Sequence, residues 1–506
     1  MATQHHDNAG APYWETQGDL SRETDVKRDA FVSTQEELTE CLSAYQDLKA
    51  EEFMWDWEGK YTDEAVIDKL FARFHAYFKA NQIGRDRFLT FRLPNVWHEK
   101  GYSLLRALTV ILTSEDFARD LGFYAPPLFE VIIPMVEKSE QLMYIQRSFQ
   151  KLARFKQEVF SHSHHKHNDY LEIIPLVEGV DNQVRIGDLL DEYAREHKKY
   201  FGRNPRYIRP FLARSDPALM SGLLATVLAN RVALSEIKNF SRRTGIKTYP
   251  IIGVGSLVFR GGLEPDKIKN FCDQYAGVRT VTVQSAFRYD YPLSQVKKAI
   301  KLLEKELPKR AAMAVAPSDL PVLKKIIKQS ARVYQETLQP LIKPMSKMFE
   351  AVPRRRERKL HIGLLGYSRN LGKQKIPRAI NFTAAFYSLG IPPEFIGLGR
   401  TLAGLNEAER VAAQKYYAQL LADLTRAGNY LNKDNLRLLA ARGRGWKLVE
   451  QDVAAAEKFF GVKFGPRTRD HFLHKNLTSN LVLLKNNPEE IRRLIAKTGC
   501  LRRSLG

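Results

Sequence analysis

Charged side chains stand directly after several short apolar runs of this chain, where a parallel sheet would bring them to one edge. Glu178 follows PLV, Asp216 follows FLARS, and Arg92 closes FLTF. Mg²⁺ commonly takes one or two carboxylates and completes its shell with water and substrate oxygens, and guanidinium groups suit phosphate or carboxylate. Two carboxylates among arginines therefore predict a site for a divalent cation with an anionic substrate. The alternative is that these carboxylates only pair with arginines at the rim of the sheet.

A glycine-rich stretch at residues 249–263 (YPIIGVGSLVFRGGL) supplies further candidates. An apolar run broken by glycines indicates a buried strand that enters a loop where the backbone must approach something closely. Arg260 stands beside Gly261 and Gly262, so its guanidinium and the exposed amides together suit a phosphate or a carboxylate. Taken alone, the stretch is equally compatible with a purely structural glycine turn.

The elements that must position these residues are short apolar runs, each ending in polar or charged residues. They are residues 53–59, 88–94, 129–137, 171–179, 207–216, 249–263, 278–287 and 360–368. Helical patterns such as 223–240 and 293–307 lie between most of them, which predicts a parallel sheet covered on both faces. Eight strands are the number that a closed (β/α)8 barrel needs. We therefore predict an α/β fold, a (β/α)8 TIM-type barrel with many additional helices, as one elaborated domain.

Within that fold we expect two regions. Residues 1–400 would form the barrel and carry the active site, with a helical insertion at about 293–348, and residues 401–506 would form a C-terminal helical region packed on the barrel. The C-terminal ends of barrel strands face one shared mouth. The residues predicted to stand there are Arg92, Glu137, Glu178, Arg214, Asp216, the 253–262 loop with Arg260, Gln284, Arg288 and Arg369.

The charge balance is strongly basic, with 79 Lys and Arg against 57 Asp and Glu and a net charge of +22. Such a balance suggests a nucleic-acid partner, or an enzyme whose positive field attracts small anionic substrates. The densest basic cluster, residues 354–359 (RRRERK), is typical of a solvated surface loop. Because no basic stripe with interleaved aromatic residues and no recognised binding motif occurs, we expect no nucleic-acid partner.

Several features bear on the compartment. No window approaches 18 uninterrupted apolar residues, so no membrane-spanning helix is expected. The start of the chain lacks a basic segment followed by an apolar run, so no signal peptide is expected. Cys41, Cys272 and Cys500 lie far apart, which favours a reducing compartment over a disulfide framework. We predict a cytoplasmic protein.

Two motifs are set aside. His162, His164, His165 and His167 resemble a metal-binding tract, but they precede the fourth predicted strand, at the opposite end of the barrel, and are typical of a solvated loop. Residues 366–373 (GYSRNLGK) resemble a P-loop, but five residues separate the glycines and Gln374 replaces the required Ser or Thr.

Several motifs, in order, resemble the phosphoenolpyruvate carboxylase family of the short, archaeal type. Residues 3–8 (TQHHDN) are similar to the TQHPDN signature of that family, and residues 175–179 (PLVEG) and 211–222 (FLARSDPALMSG) resemble its metal-binding strands. Residues 253–263 and 281–292 (VTVQSAFRYDYP) resemble its loops over the substrates. A further substrate-site segment matches residues 377–399 (PRAINFTAAFYSLGIPPEFIGLG), and the resemblance weakens beyond about residue 400.

This resemblance implies a (β/α)8 barrel with many extra helices, usually a homotetramer. It implies a lyase that converts phosphoenolpyruvate and bicarbonate to oxaloacetate and phosphate, with Mg²⁺ or Mn²⁺ and without biotin; the sequence has no biotinyl-lysine AMKM motif. By the resemblance, Glu178 and Asp216 would ligate the metal and His5 would be the catalytic histidine. By the same resemblance, Arg92 and Arg378 would bind the phosphoryl group, and Arg260 would bind bicarbonate or carboxyphosphate. Arg369 would lie in the same pocket. The residues expected to contribute to substrate binding are Arg288, Gly261, Gly262 and Gln284.

Two departures and one alternative accompany these expectations. The family has proline where this chain has His6, which leaves open whether His5 or His6 acts, and the long branch of the family has an arginine near the position of Val254. A replacement phosphate contact would come from Arg214 or Arg288. If His5 acts, residues 1–8 must fold into the barrel mouth, and their deletion is expected to leave a folded oligomer that has lost oxaloacetate production. The alternative enzyme is another barrel lyase acting on phosphoenolpyruvate or a 2-oxo acid.

Overall fold

The computed structural model describes residues 2–5, 33–60, 62–99, 101–160, 168–353, 369–371, 374–484 and 487–506, with the backbone alone at 2–5, 34 and 369–371. Among these residues no helix combines the length and the apolar character needed to cross a membrane.

Parallel strands form a closed barrel at the centre of the molecule. The barrel strands are β1 (Ala2–His5), β2 (Glu52–Asp56), β3 (Phe88–Arg92), β4 (Glu130–Ile133), β5 (Glu172–Val177), β7 (Phe211–Ala213), β9 (Ile251–Gly253) and β10 (Thr280–Val283). Their order around the barrel is β1, β10, β9, β7, β5, β4, β3, β2. Strand β5 is buried along its whole length, as a strand covered on both faces must be. The predicted (β/α)8 barrel is confirmed.

One strand of the barrel differs from the prediction. The strand that closes it is β1, at the start of the chain, where Gln4 pairs with Val283 of β10 on one side and with Phe53 of β2 on the other. The expected strand at 360–368 lies outside the described residues, and the barrel has its eight strands without it. Arg369 begins β11 (Arg369–Leu371), which pairs antiparallel with β12 (Gln374–Ile376) in a separate sheet. The four residues of β1, ATQH, have no apolar pattern by which the strand could be recognised.

The helices of residues 34–289 follow the barrel strands along the chain. They are α1 (Thr34–Gln46), α2 (Val66–Arg73), α3 (His75–Ala80), α4 (Gly101–Asp120), α5 (Ser139–Phe160), α6 (Val180–Val184), α7 (Ile186–Phe201), α8 (Ser215–Ser221), α9 (Leu223–Thr244), α10 (Ile268–Gln274) and α11 (Ser285–Tyr289). Two further strands, β6 (Tyr207–Ile208) and β8 (Lys247–Thr248), pair at the N-terminal side of β7 and β9. Glycines in the left-handed conformation end α7 and α9, at Gly202 and Gly245, because only glycine adopts it without strain.

The rest of the chain is almost entirely helical. It comprises α12 (Leu293–Glu306), α13 (Asp319–Ala351), α14 (Ala379–Ser388), α15 (Leu398–Ala403), α16 (Glu407–Tyr416), α17 (Leu420–Gly428), α18 (Lys433–Ala440), α19 (Arg444–Phe460), α20 (Arg469–Leu483) and α21 (Pro488–Arg502). Helices α12 and α13 occupy most of the stretch where the helical insertion was expected, 293–348, and its place in the domain division stays a prediction.

Besides a small cluster of barrel-strand side chains such as Met54, Ile174 and Ile251, the described residues form two large hydrophobic cores. One lies around the barrel, and the other joins the later helices to the barrel through α9, whose residues Val232 and Ala233 belong to different cores. Helix α9 is therefore buried over most of its length, including polar side chains such as Asn230 and Arg231. The division into regions 1–400 and 401–506 stays a prediction.

Candidate active site

Arg92 and Asp56 end neighbouring strands at the C-terminal mouth of the barrel and are paired in register. Arg92 Nε donates to Asp56 Oδ1 at 2.7 Å, and Nη2 donates to Asp56 Oδ2. Lys60 Nζ also donates to Asp56 Oδ2, at 2.9 Å, and the Asp56 side chain is fully buried. The arginine predicted to bind a phosphoryl group is thus held in one orientation by a buried carboxylate, with part of its side chain still exposed.

Further carboxyl groups lie beside this pair. Glu58 Oε2 is 3.3 Å from Arg92 Nε. Burial raises the pKa of Glu58 to about 8 against the opposing charge of Arg92, and the negative charges of Glu178 and Asp56 add to the rise. Glu58 and Glu178 therefore lie close enough to interact across the mouth. Sequence reasoning missed Asp56 and Glu58, although they follow an apolar run as Glu178 does.

The two residues predicted to ligate a metal come from neighbouring strands. Glu178 directly follows β5, and Asp216 lies in the first turn of α8, just after β7; β5 and β7 pair through Val177 and Leu212. Both side chains are half-buried. No group of three or more His, Cys, Asp or Glu side chains suited to a metal occurs in the part of the chain that the structure describes. Two oxygen donors fit an ion that takes the rest of its shell from water and substrate.

The glycine loop forms a tight turn. Residues Val258–Arg260 make a 3-10 turn, called here the Arg260 turn. It is closed by hydrogen bonds from Gly255 N to Arg260 O, 2.8 Å, and from Leu263 N to Gly255 O, 3.0 Å. Gly261 has φ +125°, and a Cβ there would lie 2.6 Å from Val254 Cγ1. The close backbone approach predicted from the glycines is confirmed, and the group approached is the side chain of Val254 in the same loop.

Arg214 lies beneath the Arg260 turn. It is 1% exposed, and its guanidinium donates to Tyr275 Oη (2.8 Å), Phe259 O (2.9 Å) and Val258 O (3.2 Å). Arg214 is thus buried and holds the turn through two of its carbonyl oxygens, and a phosphate contact by Arg214 stays a prediction.

Arg260 connects three parts of the chain. Its Nε donates to Ser215 Oγ at 3.3 Å, Nη2 to Gln284 Oε1 at 2.8 Å, and Nη1 to the carbonyl oxygen of Gly506 at 2.6 Å. Gly506 packs against the first turns of α14, where a Cβ would meet the Ile380 carbonyl oxygen. The structure therefore brings together Arg260 and Gln284, as predicted. It adds Ser215 and Gly506, which no sequence pattern indicated.

The other predicted residues are placed as follows. Arg288 is buried, and its Nη1 donates to Glu40 Oε1 of α1 at 2.9 Å, so its guanidinium is engaged by a carboxylate. Arg378 is exposed and directly precedes α14, while Glu137 is exposed beyond β4. His5 is the last residue of β1, opposite Met54. The substrate contacts proposed for these residues stay predictions.

Three sequence features fall outside the described residues. They are the histidines of 161–167, the basic cluster of 354–359, and most of the segment 366–373 that resembles a P-loop.

Comparison with known proteins identifies the family. The model of a family described as phosphoenolpyruvate carboxylase matches residues 1–506. The phosphoenolpyruvate carboxylase of Leuconostoc mesenteroides is 42% identical over 507 residues, covering 100% of this chain and 98% of that protein. That of Oenococcus oeni is 43% identical over 506 residues, with coverages of 100% and 98%, and that of Metallosphaera sedula is 35% identical, with coverages of 100% and 99%. The chain therefore belongs to the phosphoenolpyruvate carboxylase family and is an enzyme of that activity.

Proposed function

We propose that the reaction of phosphoenolpyruvate with bicarbonate to oxaloacetate and phosphate takes place at the C-terminal mouth of the barrel. One observation supports this location most. Five barrel strands carry these residues at the same end: Arg92 is the last residue of β3, and Glu178, Asp216, the Arg260 turn and Gln284 follow β5, β7, β9 and β10. Catalytic residues of barrel enzymes lie at that end.

The chemistry proceeds in three steps. An oxygen of bicarbonate attacks the phosphorus, the bond from phosphorus to the enol oxygen breaks, and carboxyphosphate and the enolate of pyruvate form. Arg92 and Arg378 neutralise the phosphoryl oxygens as charge moves, and Arg260 orients bicarbonate and then carboxyphosphate. His5 takes the proton of carboxyphosphate, whose C–O bond breaks to release carbon dioxide and phosphate. The enolate carbon then attacks carbon dioxide to give oxaloacetate. Water must be excluded meanwhile, because protonation of the enolate would give pyruvate.

Glu178 and Asp216 are the residues that would hold Mg²⁺ or Mn²⁺. When bound, the ion stabilises negative charge on substrate oxygens. Their place on adjacent strand ends and their half-buried carboxylates support this assignment. Burial and the accumulation of negative charge at this end raise the pKa of nearby Glu58, and a bound cation would offset that charge.

The remaining features of the proposal follow from the family. Phosphoenolpyruvate and bicarbonate are its small-molecule substrates, no biotin is used, the enzyme is a cytoplasmic homotetramer, and it supplies oxaloacetate by carbon fixation. The match of one family to residues 1–506 supports this over a nucleic-acid-binding protein and over a different barrel lyase. The net charge of +22 then serves to attract anionic substrates.

A coupled assay tests the proposal. Oxaloacetate formation is followed with a dehydrogenase, with and without bicarbonate, while phosphate is measured in parallel. We expect both products to depend on bicarbonate and on Mg²⁺ or Mn²⁺. Asp216→Asn should shift the metal titration to higher concentrations, whereas Glu137→Gln, which changes an exposed carboxylate beyond a neighbouring strand, should not. An unchanged titration in Asp216→Asn would remove this residue from the metal site.

A further inference from the structure

The Arg260 turn is held from one side by Arg214. Two of its guanidinium nitrogens donate to the carbonyl oxygens of Val258 and Phe259, and the third donates to Tyr275 Oη. Because the guanidinium is planar and its donors are fixed relative to one another, these contacts define the direction of both peptide groups. The carbonyl oxygens of the turn therefore cannot rotate without breaking buried, charge-assisted hydrogen bonds.

The same turn is held from the other side by Glu394. This residue lies in a short 3-10 helix, Pro393–Phe395, of the later helical part of the chain. Its Oε1 accepts hydrogen bonds from Phe259 N at 2.8 Å and from Tyr387 Oη at 2.7 Å, and the residue is 0% exposed. Its Oε2 has no hydrogen-bond partner among the described residues. A buried carboxyl is costly, which indicates that the contact with the turn serves a purpose other than stability.

The central residue of the turn, Phe259, is thus fixed by three kinds of contact. Its N–H meets Glu394, its carbonyl oxygen meets Arg214, and its ring stacks on Phe382 of α14, with centroids 5.7 Å apart. Arg260 is the next residue. A rotation of the peptide group between Phe259 and Arg260 would move the Arg260 side chain away from Ser215 and Gln284.

We propose that Arg214 and Glu394 are positioning residues that hold the Arg260 turn by hydrogen bonds to its carbonyl and N–H groups. These hydrogen bonds fix the position at which the Arg260 guanidinium binds bicarbonate. This rests on the proposed role of Arg260. Through Glu394, the helical part of the chain has a direct effect on the chemistry at the barrel mouth.

The test compares the KM values for bicarbonate and for phosphoenolpyruvate in purified full-length variants. Glu394→Ala removes the acceptor of the Phe259 N–H, and we expect the KM for bicarbonate to rise by about ten-fold or more, with a much smaller change for phosphoenolpyruvate. Glu394→Gln retains Oε1 and should recover most of the loss. Arg214→Lys cannot reach three acceptors with one nitrogen and should act as Glu394→Ala does.

Asp452→Asn is the matched control. Asp452 is also fully buried in the helical part, where it accepts hydrogen bonds from the backbone N–H groups of Gly397 and Arg400 and from the Arg400 guanidinium, none of which belongs to the Arg260 turn. It should lower thermal stability without a selective change in the KM for bicarbonate.

The outcomes separate two failures. If the unmodified enzyme does not require bicarbonate, the proposed function fails. If it does, but Glu394→Ala and Arg214→Lys leave the KM for bicarbonate unchanged, or Asp452→Asn raises it equally, the positioning role is wrong. If Glu394→Ala does not fold, Tyr387→Phe decides, because it removes the other hydrogen bond to Oε1. We expect Tyr387→Phe to raise the KM for bicarbonate more than that for phosphoenolpyruvate, and an unchanged ratio of the two KM values would contradict the role.

Discussion

Arg260 Nη1 donates a hydrogen bond of 2.6 Å to the carbonyl oxygen of Gly506, across 246 positions of the sequence. The donor lies in the loop after β9, and the acceptor follows α21. Both groups are buried, so the contact is stronger than it would be in water. The position of a predicted active-site arginine therefore depends on a segment far from the barrel in sequence.

Gly506→Ala should reduce activity while leaving the fold intact. A Cβ at this position would collide with the Ile380 carbonyl oxygen and crowd Ala384 of α14, so the backbone must move away from Arg260. A displacement of about 1 Å in a positioned group can cost on the order of 100-fold in rate. The measurement is kcat/KM for bicarbonate together with the thermal midpoint. Gly443→Ala is the control, because no atom lies within 4 Å of a Cβ there. Full activity in Gly506→Ala would show that the contact is not needed.

Arg209 supports the barrel at the opposite end. It donates from Nη2 to Glu52 Oε2 at 2.6 Å and from Nη1 to Glu130, joining the starts of β2 and β4. Arg209→Met leaves two buried carboxylates without their cation, and we expect a loss of about 3–5 kcal/mol in the free energy of unfolding. The kcat of the folded enzyme should change little, because the N-terminal face of a barrel contributes stability rather than catalysis.

Chemical denaturation of Arg209→Met checks this prediction against Arg243→Gln. Arg243 pairs with Asp191 on the surface, with exposed fractions of 56% and 42% for the two side chains. Such a pair contributes about 0–1 kcal/mol, so this control should shift the midpoint little. Equal shifts in the two variants would contradict a supporting role for the buried ion pairs.

The sequence predicted the barrel because seven of its strands are continuous apolar runs, and it predicted Glu178, Asp216 and Gln284 at the mouth because each follows such a run. It missed β1, since ATQH carries no apolar pattern and is a strand only because β2 and β10 leave a gap for it.

Contacts between parts of the chain that are distant in sequence were also not predicted. The interactions of Arg260 with Gly506 and of Phe259 with Glu394 join positions whose proximity depends on how the late helices pack. Arg214 is likewise of a residue type that suits a phosphate, and only the packing shows that its guanidinium donates to the Arg260 turn and to Tyr275.

The Glu394 carboxyl predicts a pH dependence of stability. Burial raises its pKa to about 7, against the opposing effects of Tyr387, the Phe259 N–H and the charge of Arg214, whereas an unfolded glutamic acid has a pKa of about 4.3. The folded state therefore binds this proton more tightly. Its contribution to stability is full below about pH 4 and is lost as the pH rises through about 7.

Thermal or urea midpoints of the unmodified enzyme and of Glu394→Gln, measured from pH 5 to pH 9, check this. The unmodified enzyme should lose stability relative to the variant up to about pH 8 and run parallel to it above that. Titratable groups that both proteins share contribute equally to the two stabilities, so their contributions cancel in the difference between the midpoints. A difference that is flat across this range, or that grows in the opposite direction, would contradict a raised pKa at Glu394.

His5→Asn tests the proposed base. Removing residues 1–8, which the sequence suggested as a test, would delete β1 and open the barrel between β2 and β10, so a single substitution is needed. His5 ends β1 at the mouth, in register with Met54, and asparagine retains the strand. Without a base for carboxyphosphate, we expect phosphate and pyruvate to form from phosphoenolpyruvate while oxaloacetate is lost.

His6→Pro, which restores the residue usual in the family, should be nearly silent. Full activity in His5→Asn together with a loss in His6→Asn would assign the proton transfer to His6, which lies outside the described residues.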